Sequence, residues 1–173
     1  MKSNIKVGVV LARRADDLAE WLADAASFDA AGADALWIDV VGHSELDPLV
    51  LTAALAVTTG RSLLVADLGP HREEAAALAT VERLSRGRLR TIGGGFRLLD
   101  EETQAYEHIV DGQAERWVPT PAGQARDTWQ ATLAQAAAEG VSGLLVPAWP
   151  GLLDLLRNPG DPGQRHDLEL TVG

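Results

Sequence analysis

Hydrophobic positions along the chain follow two alternating patterns. Short apolar runs predict strands at 5–11 (IKVGVVL), 35–40 (ALWIDV), 62–67 (SLLVAD), 89–93 (LRTIG) and 143–147 (GLLVP). Between them, apolar residues recur at helical spacing. Leu18, Trp21, Leu22, Ala25 and Phe28 fall at i, i+3, i+4, i+7 and i+10, one stripe of a helix that Gly32 ends. Asp16 and Asp17 sit where the helix dipole favours acids. Asp47 and Pro48 supply a cap and a first-turn proline for LVLTAALAVTT, which Gly60 closes. Glu73 and Glu74 open a third helix, with Leu78, Val81 and Leu84 on its buried side and Gly87 after it. Trp129, Leu133, Ala136 and Ala137 mark a fourth, stopped by Gly140, and GLLDLLRN a short fifth, ended by Pro159.

Strands apolar on both faces, alternating with helices, imply a parallel sheet covered by helices. A complete barrel of eight such units takes about 250 residues. At 173 residues the chain is one domain's worth, so the expected fold is α/β: a single truncated TIM-barrel-like domain over 1–173 with mostly parallel strands. A faint repeat agrees with paired βα units. AGADALWI and EGVSGLLV each place a buried strand at the same distance after a helix-stop glycine.

The rhythm breaks after Arg97. LLDEETQAYEHIVDGQAE is polar and acidic and reads as a loop or short irregular helix. RWVPTP reads as a short strand at best, confined to an edge because Pro119 and Pro121 lack donors. After a Gly/Pro-rich turn, DLELTV (167–172) reads as a last strand.

Composition narrows the classes. With 46% hydrophobic residues the chain can bury a sizeable core, and with no cysteine it has no disulfide, thiolate metal site or cysteine nucleophile. The formal charge of -10 argues against nucleic acid and anionic membrane surfaces as partners. The amino terminus lacks the features of a signal peptide, which leads to the expectation of a cytoplasmic protein.

Sites in parallel α/β folds gather at the carboxyl ends of the strands. Those ends carry Arg13 and Arg14; Asp39 and His43; Ala66 and Asp67, with His71 beyond; Gly93, Gly94, Gly95 and Arg97; and finally Pro147 and Trp149. Asp39 closes an apolar strand, either to bind a ligand or to cap the next turn. Three glycines after a strand allow a ligand to touch bare main chain, with Arg97 as a forked cation, or they form a tight turn at a barrel corner. The four histidines, at 43, 71, 108 and 166, show no metal-ligand spacing. No dinucleotide or nucleoside-triphosphate motif is present, and no serine sits in a nucleophile elbow. Arg83, Arg86, Arg88 and Arg90 read as a helix-end cluster that suits the dipole.

In order and at matching spacing, AGADALWI, DPLVLTAALAVTTGR and ATVERLSRGRLRTIGGG resemble the luciferase-like monooxygenase superfamily, over about the first 95 residues. The resemblance implies a TIM barrel and an oxidoreductase using reduced flavin mononucleotide (FMN) or coenzyme F420 on a small-molecule substrate. It implies that Val65, Ala66 and Asp67 lie against the flavin ring, often through a cis peptide. It further implies that Asp39 and His43 face the reaction and that Gly93 to Gly95 approach the cofactor, whose phosphate Arg97, by its forked charge, is expected to meet. The chain departs from the family in having only about 75 residues after Gly95. A shortened relative without turnover, acting as a flavin-binding or interaction module, is the alternative. Either way a truncated barrel leaves apolar faces uncovered, and a homodimer is expected, with the apolar helix at 47–59 as its surface.

Overall fold

The computed structural model describes residues 5–12, 16–39, 46–69 and 74–158. Lys6–Leu11 forms β1, Leu18–Ala31 α1, Ala35–Ile38 β2, Pro48–Thr58 α2, Leu63–Ala66 β3, Ala75–Ser85 α3 and Leu89–Thr91 β4. The starts of α1 and α2 are built as the sequence signals them. The Asp17 carboxylate accepts from the amides of Ala19 and Glu20, and the Asp47 carboxylate from those of Leu49 and Val50. In α3, Val81 is buried as expected, whereas Leu84 stays 41% exposed.

The second half corrects the sequence reading. The stretch expected to be loop or irregular helix is an antiparallel meander, in which Phe96–Asp100 (β5), Ala105–Val110 (β6) and Gln113–Pro119 (β7) pair in succession. Asp111 and Gly112, both at positive φ (51° and 79°), make the two-residue turn between β6 and β7. RWVPTP is not an edge either: β7 lies between β6 and β8 (Gly143–Pro147). Pro119 is its last residue, and the next amide, Thr120 N, donates to Leu145 O, so the missing donor costs the ladder little. Helices α4 (Arg126–Ala138) and α5 (Pro150–Arg157) flank β8 in sequence. The strand expected at 167–172 lies outside the described residues.

The sheet order is β4-β3-β2-β1-β8-β7-β6-β5, and every strand but β6 runs the same way. The sheet is curled almost into a barrel. In a flat sheet β2 and β5, five positions apart, would stand roughly 24 Å from each other. Yet the rings of Trp37 on β2 and Phe96 on β5 have centroids 4.8 Å apart, and Trp37 is 4.9 Å from Tyr106 on β6. The outer strands β4 and β5 meet through Ile92 and the three glycines, with a bridge from Ile92 to Phe96.

Alternation along each strand separates two cores. Leu36, Ile38, Leu64, Ala66, Leu144 and Val146 point outward into the layer shared with the helices. Ala35, Trp37, Val65, Phe96, Tyr106, Trp117 and Leu145 point inward and fill the barrel. Glycine makes room for the indoles there. A Cβ at Gly143 would lie 2.4 Å from the Trp117 ring, and one at Gly8 would lie 3.0 Å from Trp37 Nε1.

Two polar devices sit toward the amino ends of the strands. Asp29 of α1 accepts from the amides of Gly60, Arg61 and Ser62 and from the Ser62 hydroxyl. Burial alone pushes its carboxyl up, but these hydrogen bonds outweigh it and hold the group below its ordinary value. Arg88 donates to the carbonyls of Ala56, Thr59, Ser62 and Ser85 and to the Thr59 hydroxyl, tying the end of α2 to the end of α3. Inside the barrel, Glu115 pairs with Lys6, and its second oxygen stands 3.6 Å from Nδ1 of His108. His108 stacks on Phe96 at 4.4 Å, and burial lowers its pKa despite the nearby carboxylate.

Candidate functional site

A cavity of about 220 Å³ opens where β1, β2, β7 and β8 end. Its place follows from the strand directions: six parallel strands in a row deliver their carboxyl ends to one rim, and β6, running the other way, starts there. The walls are mainly apolar, made by Val10, Trp37, Ile38, Leu145, Pro119 and Pro147. Polar groups come from Asp39, Gln104, Tyr106 and Thr120. The Tyr106 hydroxyl donates to Gln104 Oε1 at 3.0 Å. Burial pushes its pKa up, and the carboxylates of Asp67 and Asp39 add to the rise. Thr120 Oγ1 accepts from Gln124 Nε2 at 3.1 Å. This is an apolar slot with two aromatic residues and an electronegative edge.

The structure divides the residues singled out in the sequence. Asp39 lines the cavity, and the Asp67 carboxylate is near enough to act on Tyr106. Val65 points into the barrel beneath, whereas the side chain of Ala66 faces the helices. No peptide bond among the described residues is cis. Gly93 to Gly95 form the tight turn between β4 and β5, with Gly93 at φ 84° and the amides of Gly94 and Gly95 both donating to Thr91 O. The space a side chain would take is held by the chain itself: a Cβ at Gly94 would meet Thr91 Oγ1 at 2.1 Å, and one at Gly95 would meet Arg90 Cδ at 2.7 Å. Gly95 borders a separate, open hollow of about 380 Å³ between α3 and β4, with Leu78, Glu82, Arg90 and Thr91. Arg97 is exposed on the outer face, paired with Glu107 at 2.6 Å. Trp149 packs against the helix layer. His43, like Arg13, Arg14, His71 and His166, lies outside the described residues.

The sequence reading passes over Tyr106 and Gln104 because their segment reads as loop or irregular helix, and over Thr120 because RWVPTP reads as no more than an edge strand. One signal was present: the Asp-Gly pair after AYEHIV marks a hairpin.

The walls suit a flat ring. At about 220 Å³ the slot lies below the roughly 300–1,000 Å³ of sites for drug-sized ligands, so a whole FMN would extend past the described walls. No lysine or arginine among the described residues lines the cavity to meet a phosphate. No protein-family model matches the chain, and no curated protein matches it.

Proposed function

We propose that the protein is a ligand-binding barrel on the luciferase-like plan, taking a small molecule at the carboxyl mouth of its strands. The observation that carries this reading is the apolar cavity edged by Asp39 and Tyr106. Binding sites are concave, mostly apolar and supplied with a few placed polar groups, and in barrels they lie at this end. Filling the slot by Val10→Phe should abolish ligand-induced stabilisation and leave the fold intact. Binding that survives that substitution would move the site elsewhere.

The second reading is an oxidoreductase using FMN or coenzyme F420. It is supported by the ordered resemblance over the first 95 residues and by Asp39 standing at the rim. Either cofactor would supply hydride chemistry, but the described cavity does not take one whole, so no step is assigned to it. Titration separates the two readings. A melting temperature raised by FMN or coenzyme F420, or a yellow preparation, favours the oxidoreductase. Unchanged melting with both, and a rise with small apolar rings, favours the binder.

Two further expectations carry over. The acidic, cysteine-free chain suits the cytoplasm, and no helix among the described residues is long and apolar enough to cross a membrane. A homodimer through α2 would cover Val50 and Val57, which are 66% and 64% exposed and stand two turns apart on one face. A monomer in sedimentation at micromolar concentration would overturn the dimer.

A further inference from the structure

We infer that the β5–β7 meander is an acid-released flap: a proton taken by His108 lets it leave the barrel while the parallel half stays folded.

The device is built toward the amino ends of the parallel strands. His108, 6% exposed, points inward from β6 and stacks on Phe96 of β5 at 4.4 Å. Its Nδ1 is buried with no hydrogen-bond partner among the described residues. The carboxylate beside it, Glu115 of β7, already serves others. One oxygen pairs with Lys6 of β1, and the second accepts from Trp117 Nε1 at 3.4 Å. That second oxygen stands 3.6 Å from Nδ1, too far for a hydrogen bond. Two cations act on the ring as well, Lys6 and Arg90 of β4. Asp34, just ahead of β2, feels Lys6 and Glu115 and accepts from the Val7 amide. The closed barrel therefore offers a charged imidazole one shared carboxylate against two cations, away from water.

The meander is the half that leaves more readily. Its outer face carries the exposed Leu99 and Ile109. It is joined to the parallel half through three residue pairs of the β7–β8 ladder, one bridge from Ile92 to Phe96 and the ring contacts of Trp37. Elements with solvated faces and few anchoring pairs open below the global stability. Tyr106 and Gln104 line the cavity from this half, so lifting it removes one wall of the mouth.

Once the meander lifts, His108 meets water and takes a proton at its ordinary value of about 6.5. Burial lowers that value in the closed barrel, so acid favours the open form. At pH 5.5 the gain in opening is at most about tenfold. Asp34 works the other way. Burial raises its carboxyl, so the folded form holds the proton more readily and acid favours closure there.

Amide exchange of the full chain, followed by NMR at pH 7.5 and 5.5 with the intrinsic pH dependence divided out, tests this. The amides of β6 and β7 should form one group, less protected than those of β2 and β3 at both pH values. Their protection should fall by up to about tenfold at the lower pH. Two variants should flatten that fall for different reasons. His108→Gln removes the proton site, and Lys6→Met frees Glu115 to meet the charged ring. One common level of protection for β6, β7, β2 and β3 would mean that only global unfolding exposes His108, and overturns the flap. No fall in the parent chain, or a fall that persists in His108→Gln, overturns the role of the histidine. A fall that persists in Lys6→Met overturns the shared carboxylate as its cause.

Discussion

The two halves of the sheet solve the same problem in different ways. The strands β1 to β3 and β8 are parallel, short and largely apolar on both faces, since one face meets the barrel interior and the other meets helices. The β5–β7 meander is apolar only on its inner face, where Phe96, Leu98, Tyr106 and Trp117 point. Its outer face is largely in water. Leu99 and Ile109 are 44% and 56% exposed, and Arg97, Glu107 and Arg116 lie in cross-strand register. An antiparallel ladder can face solvent on one side because its hairpins need no helical crossover. The barrel can therefore curl round without three of the helices that eight βα units would require. The comparison also locates the cavity, which draws its apolar walls mostly from the parallel half and its Tyr106 and Gln104 from the meander.

The sharpest way to break this arrangement is at the contact between the halves. Gly143→Ala would drive a Cβ to 2.4 Å from the buried Trp117 ring, and neither can retreat in a filled interior. A loss of about 3 kcal/mol or more in urea denaturation is expected. A near-neutral result would mean that the Trp117 ring does not lie over Gly143, its partner across the β7–β8 seam.

Next comes the parallel half alone. Arg88→Ala removes five donated hydrogen bonds and leaves carbonyls at the ends of α2 and α3 unanswered. Chemical denaturation should report a loss of about 2–3 kcal/mol. On the meander's outer face, by contrast, the exposed pair of Arg97 and Glu107 is worth at most about 1 kcal/mol, so Arg97→Ala should be nearly silent. Equal effects of the two arginines would erase the distinction between a covered and a solvated half. Between them falls Gly112→Ala, which forces a side chain into φ 79° at the β6–β7 turn, at a cost of about 1 kcal/mol.

A modest effect is expected from pH, with a different origin in each half. Burial lowers the pKa of His108, so the unfolded chain binds its proton more readily. Stability should fall as pH drops below about 6.5, the unfolded value, until the folded pKa is reached. The neighbours that meet this histidine are Glu115 and Lys6, with Arg90 acting from β4. Asp29 has its pKa lowered, so its contribution is complete above the unfolded value of about 3.9 and is lost as pH falls through the folded one. Melting temperatures at pH 7.5 and 5.5 should therefore differ for the parent chain and converge in His108→Gln. The Asp29 contribution should appear only in more acidic buffer. A parent whose melting is flat from 7.5 to 5.5 would contradict the buried, neutral state of His108.

Legibility differed along the same line. In the first half the apolar runs, the acids at the start of α1, Asp47 as a cap, and the stop glycines are all local signals, and the elements formed where those signals stand. Arg88 was visible as one of four arginines near a helix end. Its task was not, since its acceptors on Ala56, Thr59 and Ser62 come from residues some thirty positions away. The triple glycine was read both as a bare surface for a ligand and as a corner. The structure makes it the turn that joins the two outer strands, with Thr91 and Arg90 in the space above it.

What the chain determined alone was therefore the βα alternation, the helix ends and a barrel-like sheet too short for eight full units. These follow from periodicity and capping, which act over a few residues. Which strand lies beside which, and so which side chains share the mouth, was decided only by tertiary structure. Tyr106 and Asp39 stand 67 positions apart in sequence and meet because the sheet curls. Curling is a property of strand twist and of the interior that Trp37, Phe96 and Trp117 must fill together, and no local pattern records it.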